Sequence, residues 1–176
     1  ADYYWGRLLE AESQGQAEDV AFFGELTSAY HDGKYARELA GDGSLELDSD
    51  PPGAEVWLHD FVEEKLVLQP RHARLLGTTP LSRTALPMGS YLVILKKAGF
   101  RDTRYPVFIS RNKDWTGKVT LYTDEEIGEG FVHVSAGPFI AGGDPECRGS
   151  DLPRAEPWVE DFCIAVHPVT NAEYLE

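Results

Sequence analysis

The hydrophobic spacing of this chain changes near Ser44, from the 3.6-residue period of helices to the two-residue alternation of strands. Before that point apolar side chains recur at helical spacing, as at Tyr4, Leu8 and Ala11. After it, short runs rich in β-branched and aromatic residues alternate with polar residues. Because a helix and a strand require different periods, the chain is predicted to have a helical part followed by a sheet part, which is an α+β fold.

Residues 1–43 are predicted to form a helical lead-in. Apolar residues recur in two runs separated by Gly15, which predicts two short helices that form a hairpin. Gly33 interrupts the second run, and Gly41-Asp42-Gly43 ends the helical character. The acidic side chains lie mostly off the apolar stripe, which favours a solvated helix face over an acidic docking surface.

Residues 44–122 are predicted to form a small antiparallel sheet domain. Turn sequences such as Asp50-Pro51-Pro52-Gly53 and Gly77-Thr78-Thr79-Pro80 separate six strand-like stretches. Short strands at this spacing without intervening helices predict an antiparallel sandwich or barrel. The predicted strands are Leu45–Leu47, Ala54–His59, Lys65–Leu68, Tyr91–Lys96, Arg104–Ile109 and Lys118–Tyr122.

A third segment at residues 131–176 follows an acidic linker predicted at residues 123–130. Phe131–Val134 and Phe139–Ile140 flank a Gly-Pro turn sequence, which predicts a pair of strands joined by that turn. Alternation resumes at Trp158–Ile164. These short runs predict further β-structure after the sheet domain.

Both ends of the sequence indicate a fragment. The first residue is Ala1, and the only methionine is Met88. Near the other end, Thr170 and Glu173 match the capping box that begins a helix, and only three residues follow. We therefore expect the third segment to be the truncated start of a larger domain.

The formal charge of −14 is distributed unevenly along the chain. Residues 1–50 carry −9, residues 51–122 carry +5 and residues 123–176 carry −10. Such an acidic chain disfavours binding to a nucleic-acid phosphate backbone. There is no long apolar run and no targeting pattern at the start, so we expect a cytoplasmic chain that does not insert into a membrane.

The sequence contains no strong catalytic motif. Glycine-rich nucleotide loops, nucleophile elbows and zincin motifs are all missing from it, and its five histidines are scattered. Cys147 and Cys163 are two thiols without a secretory signal, which favours reduced side chains over a disulfide or a zinc site. We predict that this chain is not an enzyme and binds no cofactor or metal.

A basic strip in the middle segment is the candidate binding site. Aromatic residues lie among its cations, a mixture that can receive an anion or an acidic partner. The strip comprises Lys96, Lys97, Arg101, Arg104, Arg111, Lys113 and Lys118, of which the first four are the predicted partner-binding residues. The simpler interpretation is a solvated sheet face, on which lysines also prevent edge pairing. A third interpretation is internal, with the basic sheet docking against its acidic flanking segments.

The middle segment resembles the PEGA domain, a small bacterial β-sandwich module. The resemblance covers residues 45–122 and rests on Pro51-Pro52-Gly53-Ala54, Leu76–Leu81 and Leu86–Tyr91. It implies a β-sandwich with an accessory or surface-binding role and no established catalytic activity. Residues 61–74 exceed what a typical member needs, so a protruding hairpin or loop is expected there.

The third segment resembles the opening of the formylglycine-generating-enzyme-like domain, also called the sulfatase-modifying factor domain. The resemblance rests on Val134–Gly143, Glu156-Pro157, Phe162-Cys163-Ile164 and Pro168–Tyr174. It implies a partial α/β segment of a larger domain. The redox cysteines of the family's enzymes lie in a later part, so neither cysteine of this chain inherits that role.

The order of the two resemblances is similar to the region downstream of the catalytic domain in certain bacterial serine/threonine protein kinases. It implies a non-catalytic accessory and recognition region that makes protein or intramolecular domain contacts. One alternative is the N-terminal part of a formylglycine-generating or sulfoxide-synthase-like oxidase. Another is a binding module that recognises an anionic partner through the basic sheet face.

Overall fold

The computed structural model describes residues 1–143 and 152–175. These residues divide into two compact units, each with internal contacts of its own. The first unit comprises Ala1–Leu45, Thr84–Gly89 and Phe108–Trp115. The second comprises Glu46–Arg83, Ser90–Val107 and the described residues of Thr116–Glu176. The fold is α+β, as predicted, with mostly antiparallel sheets and two N-terminal helices.

The predicted helical hairpin is present in the first unit. Helix α1 spans Asp2–Gln14, α2 spans Ala17–Tyr30, and a short α3 spans Ala36–Ala40. Gly15 ends α1 in the left-handed conformation, at a φ of 69°, which glycine adopts without steric cost. Leu8 is buried on the face of α1 that packs against α2. The apolar stripe therefore orients the two helices.

Seven strands follow the helices. They are β1 Gly43–Asp50, β2 Glu55–Glu64, β3 Val67–Thr78, β4 Leu81–Leu86, β5 Gly89–Lys96, β6 Thr103–Ile109 and β7 Asp114–Thr120. One sheet has the order β4-β1-β7 and the other has the order β3-β2-β5-β6. Strand β4 was not predicted, because its buried leucines, Leu81 and Leu86, are five residues apart and do not alternate.

The alternation that predicted the strands is visible in their burial. Along β6, Tyr105, Val107 and Ile109 are buried, while Pro106 and Phe108 between them are exposed. Each such strand therefore places one row of side chains in the interior and the other in solvent.

The expected protrusion at residues 61–74 is a hairpin. Strands β2 and β3 pair antiparallel beyond the rest of their sheet, up to the pair Glu64 and Val67. The connecting residues Lys65 and Leu66 have φ angles of 53° and 64°, as two-residue hairpin turns require at both central positions. The strand predicted at Lys65–Leu68 was therefore wrong in its first half, which is the turn before β3.

The third segment differs from its prediction in two places. Residues predicted as an acidic linker contain helix α4, Asp124–Ile127. Strand β8, Phe131–Val134, pairs with β11, Phe162–Ala165, and not with Phe139–Ile140. The intervening turn sequence instead forms β9, Gly137–Pro138, which pairs with β10, Trp158–Val159. The predicted local strand pair was therefore wrong: both pairings join residues distant in sequence, for which the chain carries no local signal.

A short helix α5, Asn171–Tyr174, begins directly after Thr170, where the capping-box pattern placed a helix start. The backbone amide of Tyr174 donates to the carbonyl of Thr170 at 3.0 Å.

Candidate interaction surface

The predicted basic strip does not form one open cationic surface. Lys96 ends β5, Lys97 follows it, and both line a shallow depression of about 540 Å³. The depression also has two carboxylates, Glu55 and Asp102, in its wall. The lysine charges are therefore matched by acidic neighbours before any ligand arrives.

Each of the two lysines already has an internal partner. The Nζ atom of Lys96 lies 3.2 Å from Oδ2 of Asp102. The Nζ atom of Lys97 donates to the carbonyl oxygen of Pro52 at 2.8 Å, in the turn that precedes β2. These contacts engage both amines with their own domain.

Arg101 binds the segment that follows the sheets. Its guanidinium pairs with the carboxylate of Asp124, donates to the carbonyl of Phe131 at 2.8 Å, and donates to the carbonyl of Gly128 at 3.3 Å. The planar fork of arginine suits such divergent acceptors. We call this set of contacts the Arg101 clamp; it engages both α4 and the start of β8.

Helix α4, which the Arg101 clamp engages, is itself capped. The hydroxyl of Thr123 accepts from the amide of Glu126 at 3.2 Å, and the Glu126 carboxylate accepts from the Thr123 amide at 2.8 Å. Hydrogen bonds from the Thr123 backbone and side chain lower the pKa of Glu126. This capping box was not predicted, although Thr123 and Glu126 have the same Thr-x-x-Glu spacing as Thr170 and Glu173.

Arg104, like Lys96, is exposed on its strand. It lies on β6 between two buried residues and makes no ion pair within residues 1–143 and 152–175. Of the four predicted residues, Lys96 and Lys97 therefore have partners nearby, Arg101 binds the following segment, and Arg104 is solvated.

Arg111, a further member of the basic strip, performs a similar task in the first unit. Its side chain is 12% exposed and lies 2.7 Å from the carboxylate of Glu12 in α1. It also donates to the carbonyls of Glu38 at 2.8 Å and Leu39 at 3.0 Å, and its guanidinium lies over the ring of Trp5. One arginine thus joins α1 and α3.

A partly buried polar cluster holds the third segment within the second unit. The hydroxyl of Tyr122, just after β7, donates to Oδ2 of Asp161 at 2.5 Å. His133 of β8 is almost fully buried, with its ring edge-on to Tyr122 and its Nε2 atom 3.4 Å from the same carboxylate oxygen. The bond to Asp161 raises the pKa of Tyr122 to about 12 and lowers the pKa of Asp161.

Thr79 organises the turn before β2. Its hydroxyl oxygen accepts from the amides of Gly53 at 3.1 Å and Ala54 at 3.0 Å, and it lies 2.5 Å from the hydroxyl of Ser49. Ser49, Ala54 and Thr79 are all buried. The turn is therefore held by a buried side chain, and a buried hydroxyl is costly to leave without partners.

Strands β8 and β11 leave one side of their two-stranded sheet apolar. In the antiparallel register Phe162 lies opposite Val134, and Ile164 lies opposite Val132. Residues directly opposite in such a pair share a face, so these four side chains form one surface, which we call the outer face. His133 alternates with them and points to the other side.

Within the described part of the chain, no group of three or more His, Cys, Asp or Glu side chains is arranged to hold a metal ion. Cys163 is exposed, and Cys147 lies outside the described residues. No helix among the residues that the structure describes has the length and hydropathy needed to cross a bilayer.

No family model matches the sequence, and no curated protein matches it. Among solved structures, the Bacillus anthracis TIE protein is similar over 47% of this chain and 17% of that chain, with 17% identity and a TM-score of 0.34. A streptococcal ancillary pilin is similar over 71% of this chain and 50% of that chain, with 12% identity and a TM-score of 0.33. The chain spans half or less of either protein. At TM-scores this low, the likenesses assign neither a fold nor a function.

Proposed function

We propose that the chain is a non-catalytic accessory and recognition region of a multidomain, cytoplasmic bacterial serine/threonine protein kinase. The observation that carries the proposal is the Arg101 clamp, which uses the cation at the centre of the basic strip to bind residues 124–131. An arginine used in this way holds consecutive segments in a defined arrangement. That arrangement suits a region whose task is to space and present surfaces.

The middle segment is proposed to be a PEGA-like β-sandwich. Within the second unit, a Cβ atom added to Gly117 of β7 would overlap the hydroxyl of Tyr105 on β6, so strands of the two sheets approach closely there. Facing sheets with interdigitated side chains are the basis of sandwich architecture. Gly117→Ala is expected to destabilise the protein, and adding Tyr105→Phe to recover part of the loss. No recovery would contradict face-to-face packing at this point.

The third segment is proposed to be the start of a formylglycine-generating-enzyme-like domain. Support comes from the sequence resemblance and from the short strand pairs β8 with β11 and β9 with β10, which leave apolar side chains exposed. A segment that exposes apolar strands in this way is suited to contacts with further protein.

Recognition of an anionic partner through the basic strip receives less support. Lys96, Lys97 and Arg101 each have an acidic or carbonyl partner within the second unit, and an anion would have to displace these contacts. Protein or intramolecular contacts through other surfaces are therefore the proposed mode of partner binding.

The protein sequence encoded upstream and downstream of this chain tests the kinase proposal. We expect a lysine-bearing strand, His-Arg-Asp and Asp-Phe-Gly motifs upstream. A late cysteine pair or iron-binding histidines downstream, without those motifs, would instead place the chain in an oxidase. With the kinase in hand, deletion of residues 123–176 should leave autophosphorylation intact and reduce phosphorylation of a bound protein substrate.

A further inference from the structure

The outer face of the β8 and β11 pair is a contiguous apolar surface. Val132, Val134, Phe162 and Ile164 are 44%, 39%, 45% and 51% exposed. Single exposed apolar residues are ordinary on protein surfaces, but contiguous apolar patches indicate interaction sites. Here all four side chains of one sheet face are apolar and each retains a large accessible fraction.

The underside of the same strand pair is fixed, which keeps the outer face in place. His133 and Asp161 contact Tyr122 on the other side of the strand pair, and the Arg101 clamp binds the carbonyl of Phe131 at the start of β8. A surface held by such polar contacts loses little conformational freedom when a partner binds, and this preorganisation favours affinity.

The charged residues close to β8 and β11 in sequence are acidic, and Arg101, the cation bound at the start of β8, is already paired with Asp124. No lysine or arginine occurs in residues 119–147 or 155–176. Exposed carboxylates lie next to opposite ends of the strand pair: Glu129 precedes β8, and Glu160 precedes β11. A partner that covers the apolar side chains and extends beyond either end meets one of these two carboxylates, which we call the acidic rim.

The acidic rim discriminates between occupants. A second copy that docked through the same face would bring the same carboxylates to the interface, and like charges oppose each other. In a segment with lysine or arginine beside its apolar residues, the apolar residues can cover the outer face and the cations can pair with the carboxylates of the rim.

We infer that the outer face binds an apolar protein segment flanked by lysine or arginine residues. The inference rests on the proposed recognition function in that it names the surface and the chemistry of the partner. The apolar side chains of such a segment cover Val132, Val134, Phe162 and Ile164, while its cations pair with Glu129 and Glu160.

The test uses a short fluorescent amphipathic peptide of leucine and lysine as the probe, with fluorescence anisotropy as the readout. Two matched peptides serve as controls, one with glutamate in place of lysine and one with serine in place of leucine. We expect the leucine/lysine peptide alone to bind measurably. Binding should weaken as ionic strength rises, because exposed charge pairs are screened by salt.

Substitutions on the chain locate the binding site. Ile164→Thr and Val132→Thr keep β-branched side chains, and therefore strand propensity, while removing apolar surface. Each is expected to weaken binding about fivefold, on the scale of roughly one buried methylene group. Glu129→Gln and Glu160→Gln should lower the affinity and the salt dependence together.

Phe22→Ser on α2 and Leu66→Ser at the hairpin turn are the matched controls, since both residues are exposed and apolar but lie elsewhere. They should leave the affinity unchanged. Far-UV circular dichroism of every variant verifies the fold, and the two glutamine variants keep the test valid where a threonine variant fails to fold.

Three results would overturn the inference: no binding of the leucine/lysine peptide, equal loss of binding in the Phe22 and Ile164 variants, or dimerisation through the outer face. Sedimentation of the wild type and Ile164→Thr detects the last. Peptide binding is measured on this chain and does not depend on which protein the surrounding gene encodes. If that gene encodes an oxidase and the peptide still binds, only the kinase proposal is rejected. If it encodes a kinase and the peptide does not bind, only the proposed binding surface is rejected.

Discussion

Replacing Arg101 by alanine should loosen the segment from α4 to β8 without unfolding the sheets. The guanidinium makes one ion pair with Asp124, whose side chain is 78% exposed, and one well-aligned bond of 2.8 Å to the carbonyl of Phe131. Its bonds to the carbonyls of Asp124 and Gly128 are longer, at 3.4 Å and 3.3 Å. The short carbonyl bond therefore dominates the expected loss.

The magnitude follows from these contacts. An exposed ion pair contributes about 0.5 kcal/mol, and a hydrogen bond from a charged donor contributes about 1.5 kcal/mol. With little from the longer bonds, the local free energy of opening should fall by about 2 kcal/mol, which is a roughly 30-fold increase in the open population.

Hydrogen exchange read by mass spectrometry measures this change directly. Amides of residues 124–134 should exchange about 30-fold faster in Arg101→Ala, and those of β2 and β5 should not change. Arg104→Ala is the matched control, because it removes the same charge from an exposed position. If the two variants exchanged alike over residues 124–134, the clamp would be no more than surface charge, and the reasoning would be refuted.

Three further outcomes are expected. Thr79→Val leaves the buried amide of Ala54 without its acceptor and should lower the free energy of unfolding by about 2 kcal/mol, measured by denaturant titration. An unchanged free energy of unfolding would show that the Thr79 hydroxyl does not stabilise the turn. Tyr122 has a pKa of about 12 in the folded chain, above the roughly 10 of an unfolded tyrosine, so the folded state keeps a proton that the unfolded state releases. Stability should therefore fall as pH rises from 10 to 12, and Tyr122→Phe should remove that dependence; an unchanged profile would contradict it. Arg111→Lys cannot reproduce the bonds to Glu12 and the α3 carbonyls and should destabilise the helices by about 2 kcal/mol, measured by exchange in α1.

The elements that sequence reasoning predicted are those with a strong local period. In β6 the alternation of Tyr105, Val107 and Ile109 with exposed residues is visible in the sequence and in the burial pattern. The N-terminal helices carry an equally local signal, since Gly15 is positioned to end α1. Strand β4 lacks such a signal, because partner strands and not its own residues determine its position.

The site was harder to predict because its contacts join distant residues. Arg101 is 30 residues from Phe131, and Arg111 is 99 residues from Glu12. Both arginines belong to the basic strip, but their charge alone does not specify their acceptors. Two of these acceptors are backbone carbonyls in helix α3. The outer face likewise depends on the pairing of β8 with β11, which no local pattern specifies.

Backbone amide and methyl chemical shifts, followed during titration with the leucine/lysine peptide, test the central claim most directly. The claim is that the basic residues hold the chain's own segments while the outer face receives a partner. The predicted result is that the largest shifts occur at Val132, Val134, Phe162 and Ile164, and that Lys96 and Lys97 do not respond. Shifts centred on the two lysines, or no saturable shifts on the outer face, would contradict it.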